Sequence, residues 1–197
     1  MMEFPGKGYF WVRKPDLCEV SADEVTIVTQ PGTDLWQRTY YGFRNDNAPV
    51  LQIKTAEKYF SFSVKASFVG KRRFDQCGIA LYLGSDDWLK ASIEYENGEY
   101  ARLGSVVTNG GWSDWATTDI SADRTSCMYY RLSRRENDYL IECAEDGEKF
   151  RQMRICHMHA GGGEISFGVY ACSPEDSSFT ARFTDFKITD CKWQPHK

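Results

Sequence analysis

Apolar and polar residues alternate strictly in the segment FSFSVKASF at positions 60–68. The phenylalanines, the valine and the alanine share one face, whereas the serines and the lysine share the other. A period of two is typical of a strand that buries one of its faces. This segment is therefore predicted to be a half-buried strand.

The same period continues in the two segments that follow. Their apolar positions are Cys77, Ile79, Leu81 and Leu83, and then Leu89, Ala91, Ile93 and Tyr95. Asn97-Gly98 comes next, and this dipeptide favours a two-residue hairpin turn because both residues tolerate positive φ. We therefore predict a hairpin whose return strand spans residues 102–108.

Further strands are predicted at 128–134, 138–144, 149–156, 164–172 and 179–189, with turn residues between them. Helical periodicity is weak throughout the chain. Many short strands at hairpin spacing favour an all-β fold, either an antiparallel sandwich or a closed barrel. The sandwich suits 197 residues better, and we expect one domain over residues 1–197.

Composition and charge exclude several classes of partner. A net charge of −4 without a long basic block argues against nucleic-acid binding, which needs a basic face. No apolar run is long enough for a signal peptide or a membrane span, so no membrane association is predicted. The seven cysteines show no CxxC spacing. They are expected to be reduced thiols, which indicates a cytoplasmic protein.

The other faces of the three middle strands carry small residues in mid-strand and larger polar or aromatic residues nearer the ends. These positions are Gln76, Gly78, Ala80 and Tyr82; Trp88, Lys90, Ser92 and Glu94; and Arg102, Gly104, Val106 and Thr108. One interpretation is a solvated face whose glycines serve the twist of the sheet. The other is a shallow binding groove rimmed by Tyr82, Trp88 and a loop that carries Trp112 and Trp115.

Aromatic rings beside Asp, Asn and Lys suit a sugar. The ring packs on the apolar face of a pyranose, and the polar groups bind its hydroxyls. Trp and Tyr also anchor protein interfaces, and Trp115 could instead fold back over the core. Asp114 and Asn109 are open between a ligand-binding role and loop capping.

Lys90 and Glu94 also allow two interpretations. They could contact a ligand, or they could belong to an ion network across the sheet with Arg102, Asp75 or Arg131. The two roles predict the same residue types, so the spacing alone does not separate them.

Catalytic and metal chemistry find weaker support in the sequence. Glu94, Glu96 and Glu99 resemble the carboxylate spacing of jelly-roll glucanases, but the Asn97-Gly98 turn is expected to place the last two in water at a hairpin tip. A catalytic acid needs a partly buried site that raises its pKa. His157 and His159 could share a face, yet the sequence suggests no third ligand. We therefore predict no cofactor, no metal and no catalytic residue.

Several motifs occur in a recognisable order along the chain. They are DLWQRTYYGF at 34–43, FDQCG at 74–78, WLKASIEY at 88–95, SVVTN at 105–109, SDW at 113–115 and FGVYACSP at 167–174. Together they resemble a family of unknown function related to the regulation-of-enolase protein, and the WxKxxxE and VVTN…SDW pieces are the most specific. The resemblance implies a concanavalin A-like jelly roll of two packed antiparallel sheets, one of them concave.

The first functional hypothesis is a cytoplasmic, non-catalytic binding module whose concave face holds a small carbohydrate or sugar-like metabolite. One alternative is a regulatory factor with a protein partner, a metabolic enzyme such as enolase, which the resemblance suggests. Another is a glycosidase or other sugar-modifying enzyme. The candidate ligand-binding residues are Asp75, Gln76, Tyr82, Trp88, Lys90, Glu94, Thr108, Asn109, Asp114, Trp115 and Arg131. Gly78 and Gly104 are expected at close backbone or ligand approaches.

Overall fold

The computed structural model describes residues 2–194. The first strands are β1 (Phe10–Val12), β2 (Cys18–Val20), β3 (Val25–Val28), β4 (Leu35–Gln37), β5 (Arg44–Asp46), β6 (Val50–Thr55) and β7 (Tyr59–Ser67). The central strands are β8 (Gln76–Gly84), β9 (Asp87–Tyr95), β10 (Tyr100–Asn109) and β11 (Trp112–Ser121). A 3-10 turn at Ala122–Arg124 precedes β12 (Cys127–Arg135), β13 (Asp138–Ala144), β14 (Arg151–His157), β15 (Ile165–Cys172) and β16 (Thr180–Asp190).

Two antiparallel sheets of seven strands form the body of the molecule. Sheet A has the order β1-β6-β15-β8-β9-β10-β11, and sheet B has the order β14-β13-β12-β7-β16-β3-β2. Strands β4 and β5 form a separate two-stranded hairpin. The predicted sandwich, rather than a barrel, is thereby confirmed.

The main core lies between the two sheets and uses the faces that the alternating pattern predicts. Phe62 of β7 and Phe167 of β15 meet with ring centroids 5.1 Å apart, and Ile79 and Leu89 are fully buried in the same cluster. Burying one such side chain contributes about 1.5–3 kcal/mol. The apolar faces of β7, β8 and β9 therefore fix how the sheets pack.

A second, smaller core covers the outer face of sheet A, which is the face turned away from sheet B. The connection between β3 and β6, which contains the β4–β5 hairpin, packs Leu35 and Trp36 against Ala80, Trp88 and Tyr170. The prediction of an open groove on this face is therefore wrong. The hairpin covers part of the face and leaves a pocket instead.

The hairpin between β9 and β10 confirms the Asn97-Gly98 turn. The side-chain oxygen of Asn97 accepts hydrogen bonds from the backbone N–H groups of Glu99 and Tyr100, at 2.8 and 3.2 Å. This contact satisfies donors that the turn would otherwise leave to water. The return strand begins at Tyr100 and extends to Asn109.

The stretch around Trp112 and Trp115 is a strand and not the predicted loop. The chain turns at Gly110 and Gly111, whose φ angles are +57° and +79°, and Trp112 is the first residue of β11. Because side chains alternate along a strand, Trp115 faces the outer side of sheet A, while Asp114 faces the other side. The two tryptophans therefore lie on different faces.

All seven cysteines are free thiols. Within residues 2–194, no helical segment has the length and apolarity needed to span a membrane. The cytoplasmic location and the single-domain assignment remain predictions, and the latter also includes positions 1 and 195–197, outside the described residues.

Candidate functional site

A pocket of about 180 Å³ lies between the outer face of sheet A and the β4–β5 hairpin. Five aromatic side chains form most of its wall, and three charged side chains and one amide contribute its polar atoms. The lining residues are Asp34, Trp36, Tyr41, Phe43, Phe74, Gln76, Lys90, Glu94, Val106, Trp115 and Pro174. The sheet supplies the polar floor, and the hairpin supplies much of the aromatic wall.

The aromatic wall is built by contacts between rings. Trp36 of β4 meets Trp115 of β11 edge-on, with centroids 6.3 Å apart, and meets Tyr41 at 5.6 Å. Tyr41 in turn lies 5.8 Å from Phe43. Edge-on and offset pairs of this kind are favourable beyond the area they bury. They hold the hairpin rings beside the ring from the sheet.

Two ion pairs fasten the hairpin to the body of the protein. Arg44 of β5 binds Asp86 at 2.7 Å, in the turn between β8 and β9. At the hairpin base, Arg13 binds Asp46 at 2.9 Å, and the Tyr82 hydroxyl donates to the same carboxylate. Arg44 and Asp86 are both about half exposed, so water screens their attraction. The Arg13–Asp46 pair, which the Tyr82 hydroxyl joins, is therefore the stronger anchor.

Lys90 projects from the floor and is only 4% exposed. Its ammonium lies 3.1 Å from Asp34 and faces the rings of Trp88 and Tyr170 at 5.9 and 5.7 Å. Burial opposes the charge of Lys90, but the attraction of Asp34, Cys172 and Glu94 outweighs it and raises the pKa of the lysine. Lys90 is therefore a charged group with a built-in counter-ion.

Glu94 lies one step further along the same face of β9. One carboxylate oxygen, Oε2, accepts a hydrogen bond of 3.0 Å from the Gln76 side chain. The other, Oε1, is buried and has no hydrogen-bond partner within residues 2–194. Burial raises the pKa of Glu94 to about 7, although Lys90 and Arg102 oppose the shift.

Gln76 is held in position by its own contacts. Its amide nitrogen also donates to the Phe74 carbonyl at 3.0 Å, and its amide oxygen lies 2.8 Å from the Tyr170 hydroxyl. That hydroxyl is 2.8 Å from Ser92 as well. The Gln76 amide therefore has all its hydrogen bonds within the protein, whereas the Glu94 carboxylate accepts through only one of its two oxygens. Glu94 Oε1 is thus a hydrogen-bond acceptor that remains free in the floor of the pocket.

Arg102 reaches the pocket margin from β10 but is already engaged. Its guanidinium lies 5.5 Å from the Trp115 ring and 3.3 Å from Glu96, which also binds Arg73 at 2.7 Å. The side chain of Glu96 is largely buried, so the prediction that it stands in water is wrong. The carboxylate turns back from the hairpin tip because two arginines attract it.

The structure brings four of the predicted residues together in this pocket. Gln76, Lys90, Glu94 and Trp115 all line it. They come from three different strands, and the antiparallel register places them side by side. Gln76 of β8 pairs with Glu94 of β9. Val106 of β10 pairs with Lys90 on one side and with Trp115 on the other, so it links these two residues. Whether they contact a ligand remains a prediction.

Three predicted residues of the same face lie beneath the hairpin rather than on a rim. Trp88 is fully buried and donates from its indole nitrogen to the Ser85 carbonyl. Tyr82 is buried against the second core. Thr108 is also fully buried, and its hydroxyl lies 2.8 Å from that of Ser113. Their placement as surface groups is wrong because the hairpin covers them.

Two predicted residues organise loops outside the pocket lining. Asp75 is buried, and its Oδ2 accepts from the backbone N–H groups of Lys71 and Arg72 and from the Ser177 hydroxyl. Asn109 bonds the backbone of the segment that follows β14, donating to the His157 carbonyl and accepting from the His159 N–H. Both polar side chains satisfy backbone groups, which is the alternative role that short polar residues commonly have.

The last two predicted residues, Asp114 and Arg131, face away from the pocket. Asp114 forms an exposed ion pair with Arg154 of β14. Arg131 belongs to β12 of sheet B, where it binds Glu142 through two hydrogen bonds of 2.6 and 2.7 Å. Placing Asp114 and Arg131 in one site with Trp115 was wrong, because one lies on the opposite face of its strand and the other in the opposite sheet.

The residues that sequence reasoning missed come mainly from the hairpin. Asp34, Trp36, Tyr41 and Phe43 all line the pocket, and all belong to the aromatic-dense stretch at 34–43. Its composition was a usable signal: a short polar stretch with four aromatic rings needs a surface on which to pack. The strands there are three residues long, too short for an alternating pattern to appear.

The expectation for Gly78 and Gly104 is confirmed as close approach of backbone. A Cβ on Gly78 would lie 1.9 Å from the Ala91 carbonyl oxygen. A Cβ on Gly104 would lie 2.7 Å from the Ala116 carbonyl oxygen and 3.3 Å from the Trp115 indole nitrogen. Glycine at 104 therefore makes room for the ring that lines the pocket.

The histidines form a different arrangement at the end of β14. His157 lies 2.6 Å from Asp138, and its ring centroid is 5.6 Å from that of His159. Among residues 2–194, no group of three His, Cys, Asp or Glu side chains is arranged to hold a metal ion.

Fold and pocket together define the class of protein: a concanavalin A-like jelly-roll sandwich with a small pocket on the outer face of one sheet. Residues 11–191 match a family described as "Protein of unknown function (DUF1349)". The chain belongs to this family, as the motifs indicated.

One relative and one solved structure, both from Saccharomyces cerevisiae, are similar over nearly their whole length. "Regulation of enolase protein 1" is 29% identical over 179 residues, covering 91% of this chain and 88% of the relative. A crystal structure of a functionally unknown protein is 28% identical, covers 96% of this chain and 98% of that one, and has a TM-score of 0.86.

The sandwich also recurs inside larger proteins. The structure of a mutant of the GH43 protein BlXynB from Bacillus licheniformis matches with a TM-score of 0.73, 17% identity and 94% coverage of this chain but only 37% of that one. At this identity the likeness shows a shared fold and nothing about activity.

Proposed function

We propose that this protein is a binding module whose pocket holds a small carbohydrate or sugar-like metabolite. The observation that carries the proposal is the combination of Trp115 with Lys90 and Glu94 in one pocket, with Gln76 holding Glu94 in place. An aromatic ring offers a flat apolar surface for the C–H face of a sugar, while the Lys90 ammonium can donate to its hydroxyls and the free Glu94 oxygen can accept from them.

The size of the pocket limits the ligand. Its volume of about 180 Å³ is below the roughly 300–1,000 Å³ of sites for drug-sized molecules. A single sugar ring or a short polyol therefore fits better than an oligosaccharide. The hairpin closes over the sheet face along which a polymer would have to run, which disfavours an extended ligand.

A thermal-shift screen of purified protein against monosaccharides, polyols and sugar acids tests the proposal. A ligand that binds the folded state raises stability by about 2.7 kcal/mol at a hundred times its dissociation constant. We expect Trp115→Ala to weaken binding of a hit by about 1–3 kcal/mol, on the scale of buried aromatic contacts.

Trp112→Ala is the matched control. Trp112 lies in the same strand, is 60% exposed and does not line the pocket. Its loss should leave binding unchanged. If both variants bind like the wild-type protein while remaining folded, the ligand does not occupy this pocket. Incubation of the hit, followed by product analysis, then distinguishes a binding module from a sugar-modifying enzyme.

A regulatory protein-interaction role is the second candidate. It is supported by the name of the yeast relative, which refers to regulation of enolase, and by an exposed aromatic cluster at the hairpin tip. Tyr40 is 93% exposed and is not part of the pocket lining, whereas Tyr41 and Phe43 are about half exposed and line it. Exposed tyrosines are frequent anchors of protein interfaces.

Measurement of binding between the purified protein and purified enolase tests this second role. Tyr40→Ser should weaken the complex and leave sugar binding intact, because Tyr40 does not line the pocket. No complex with enolase, in an assay that detects micromolar affinity, would contradict the second role without affecting the first.

A further inference from the structure

The charged groups that line the pocket do not balance. Asp34 and Glu94 bring two carboxyl groups, and Lys90 brings one ammonium. Arg102 lies at the margin, shares Glu96 with Arg73 and is not among the lining side chains. When Glu94 is ionised, the side chains that line the pocket therefore carry one net negative charge.

The lysine is not poised for an anionic ligand. Its ammonium already has Asp34 as a counter-ion at 3.1 Å, and both side chains are largely buried. A phosphate or carboxylate would have to compete with Asp34 for Lys90 and would stand close to Glu94. Like charges at short range in a poorly solvated site are strongly unfavourable.

The carboxyl of Glu94 is the group that lacks a partner. Its Oε1 is buried without a hydrogen bond, whereas Oε2 already accepts from Gln76. A buried carboxylate without a compensating donor is costly. Because rotation about the last bond of a glutamate side chain is easy, either oxygen can be presented to a ligand in the pocket.

The wall of the pocket favours positive charge as well. Trp36, Tyr41, Phe43, Phe74 and Trp115 surround the space into which Glu94 projects. Aromatic faces attract cations, and cages of several rings commonly recognise quaternary ammonium groups. Anions gain nothing from such faces.

We infer that the ligand of this pocket carries a protonated amine beside its hydroxyls, as an amino sugar does, and that the amine binds Glu94. This inference rests on the proposed function. The amine would supply a positive charge and the missing donor for Oε1 in one contact, while the aromatic rings pack on the C–H face of the sugar.

The groups that surround Glu94 make this contact dependent on pH. Lys90 and Arg102 favour the ionised carboxylate, Asp34 and Glu96 oppose it, and burial opposes it most, so that the pKa lies at about 7. The amine of 6-amino-6-deoxyglucose, which is on the exocyclic carbon, stays protonated above that pH as other alkyl amines do. Affinity for the amine should therefore rise as the pH rises through 7. Above that pH the Glu94 carboxyl is already ionised before the amine binds, so no binding energy is used to remove its proton.

Titration calorimetry with glucose, glucosamine and 6-amino-6-deoxyglucose tests the inference, since the two amino sugars carry the amine at different ring positions. At about pH 8 we expect 6-amino-6-deoxyglucose to bind at least roughly tenfold more tightly than glucose, which corresponds to about 1.4 kcal/mol. Glu94→Gln should abolish this preference, while Glu99→Gln, at the exposed hairpin turn, should retain it.

The pH dependence of binding to the wild-type protein is a second test, which does not depend on the Glu94→Gln variant. Between about pH 6 and pH 8 its affinity for 6-amino-6-deoxyglucose should rise roughly tenfold, whereas that for glucose should not follow the same curve. Equal affinity for glucose and both amino sugars would overturn the inference and leave the proposed function standing. Tighter binding of gluconate than of the amines would also overturn it. Failure of every sugar to bind would remove the proposed function itself.

Discussion

Replacement of Glu94 by glutamine should stabilise the protein at neutral and alkaline pH. In the folded protein, burial raises the pKa of this carboxyl from the reference value of 4.5 to about 7. The folded state therefore holds the proton more tightly than the unfolded chain does. Glutamine keeps the size of the side chain and, like the protonated carboxyl, has one acceptor oxygen and a donor, but it does not ionise.

The sign and the size of the effect follow from linkage. Below pH 4.5 the carboxyl is protonated in both states, so it makes no difference to stability. As the pH rises from there to 7, the unfolded chain loses its proton first and the free energy of unfolding falls. A shift of about 2.5 pKa units corresponds to about 3 kcal/mol, at about 1.4 kcal/mol per unit.

Urea unfolding of both proteins between about pH 4 and pH 8 provides the assay. The advantage of Glu94→Gln over wild type should grow by about 3 kcal/mol across this range, with most of the change between the two pKa values. Glu99→Gln, which changes an exposed carboxyl, should show no such trend. A difference between Glu94→Gln and wild type that does not vary with pH would refute the burial of an unpartnered carboxyl at this position.

Two further substitutions test the packing on which the site depends. Gly78→Ala should lower the free energy of unfolding by about 1–3 kcal/mol, because its Cβ would lie 1.9 Å from the Ala91 carbonyl oxygen. Gly84→Ala, with open space around it, should change this free energy little. Equal stability of the two variants would contradict the close approach at Gly78. Arg134→Lys should cost about 2–4 kcal/mol in the same urea assay, because the buried guanidinium donates to four backbone carbonyls that a lysine cannot all reach. Arg135→Lys, where one such bond is found, is the control, and an equal loss there would argue against the network.

The strands of sheet A were predictable because each buries one face. In β8 and β9 every second residue is apolar, so the sequence alone shows which side chains enter the core. The same period correctly placed Gln76, Lys90 and Glu94 together on the other face. Antiparallel neighbours in one sheet then bring these residues side by side, which explains why part of the pocket lining was predictable.

The cover over that face was not predictable in the same way. The β4–β5 hairpin consists of three-residue strands and a turn with positive φ at Arg38 and Tyr40, so it carries no periodic signal. Without it, Trp88 reads as a rim residue although it is fully buried. A single sequence also does not show which strands share a sheet, and for that reason Arg131 of sheet B was assigned to a site in sheet A.

The most direct test of the pocket is a crystal structure of the protein soaked with 6-amino-6-deoxyglucose and, separately, with glucose. We expect density for a single ring beside Trp115, between the floor of sheet A and the rings of Tyr41 and Phe43, with the amine against Glu94. Density for the sugar elsewhere on the protein, with the pocket empty at a concentration that saturates binding in solution, would contradict the assignment of this pocket as the ligand site.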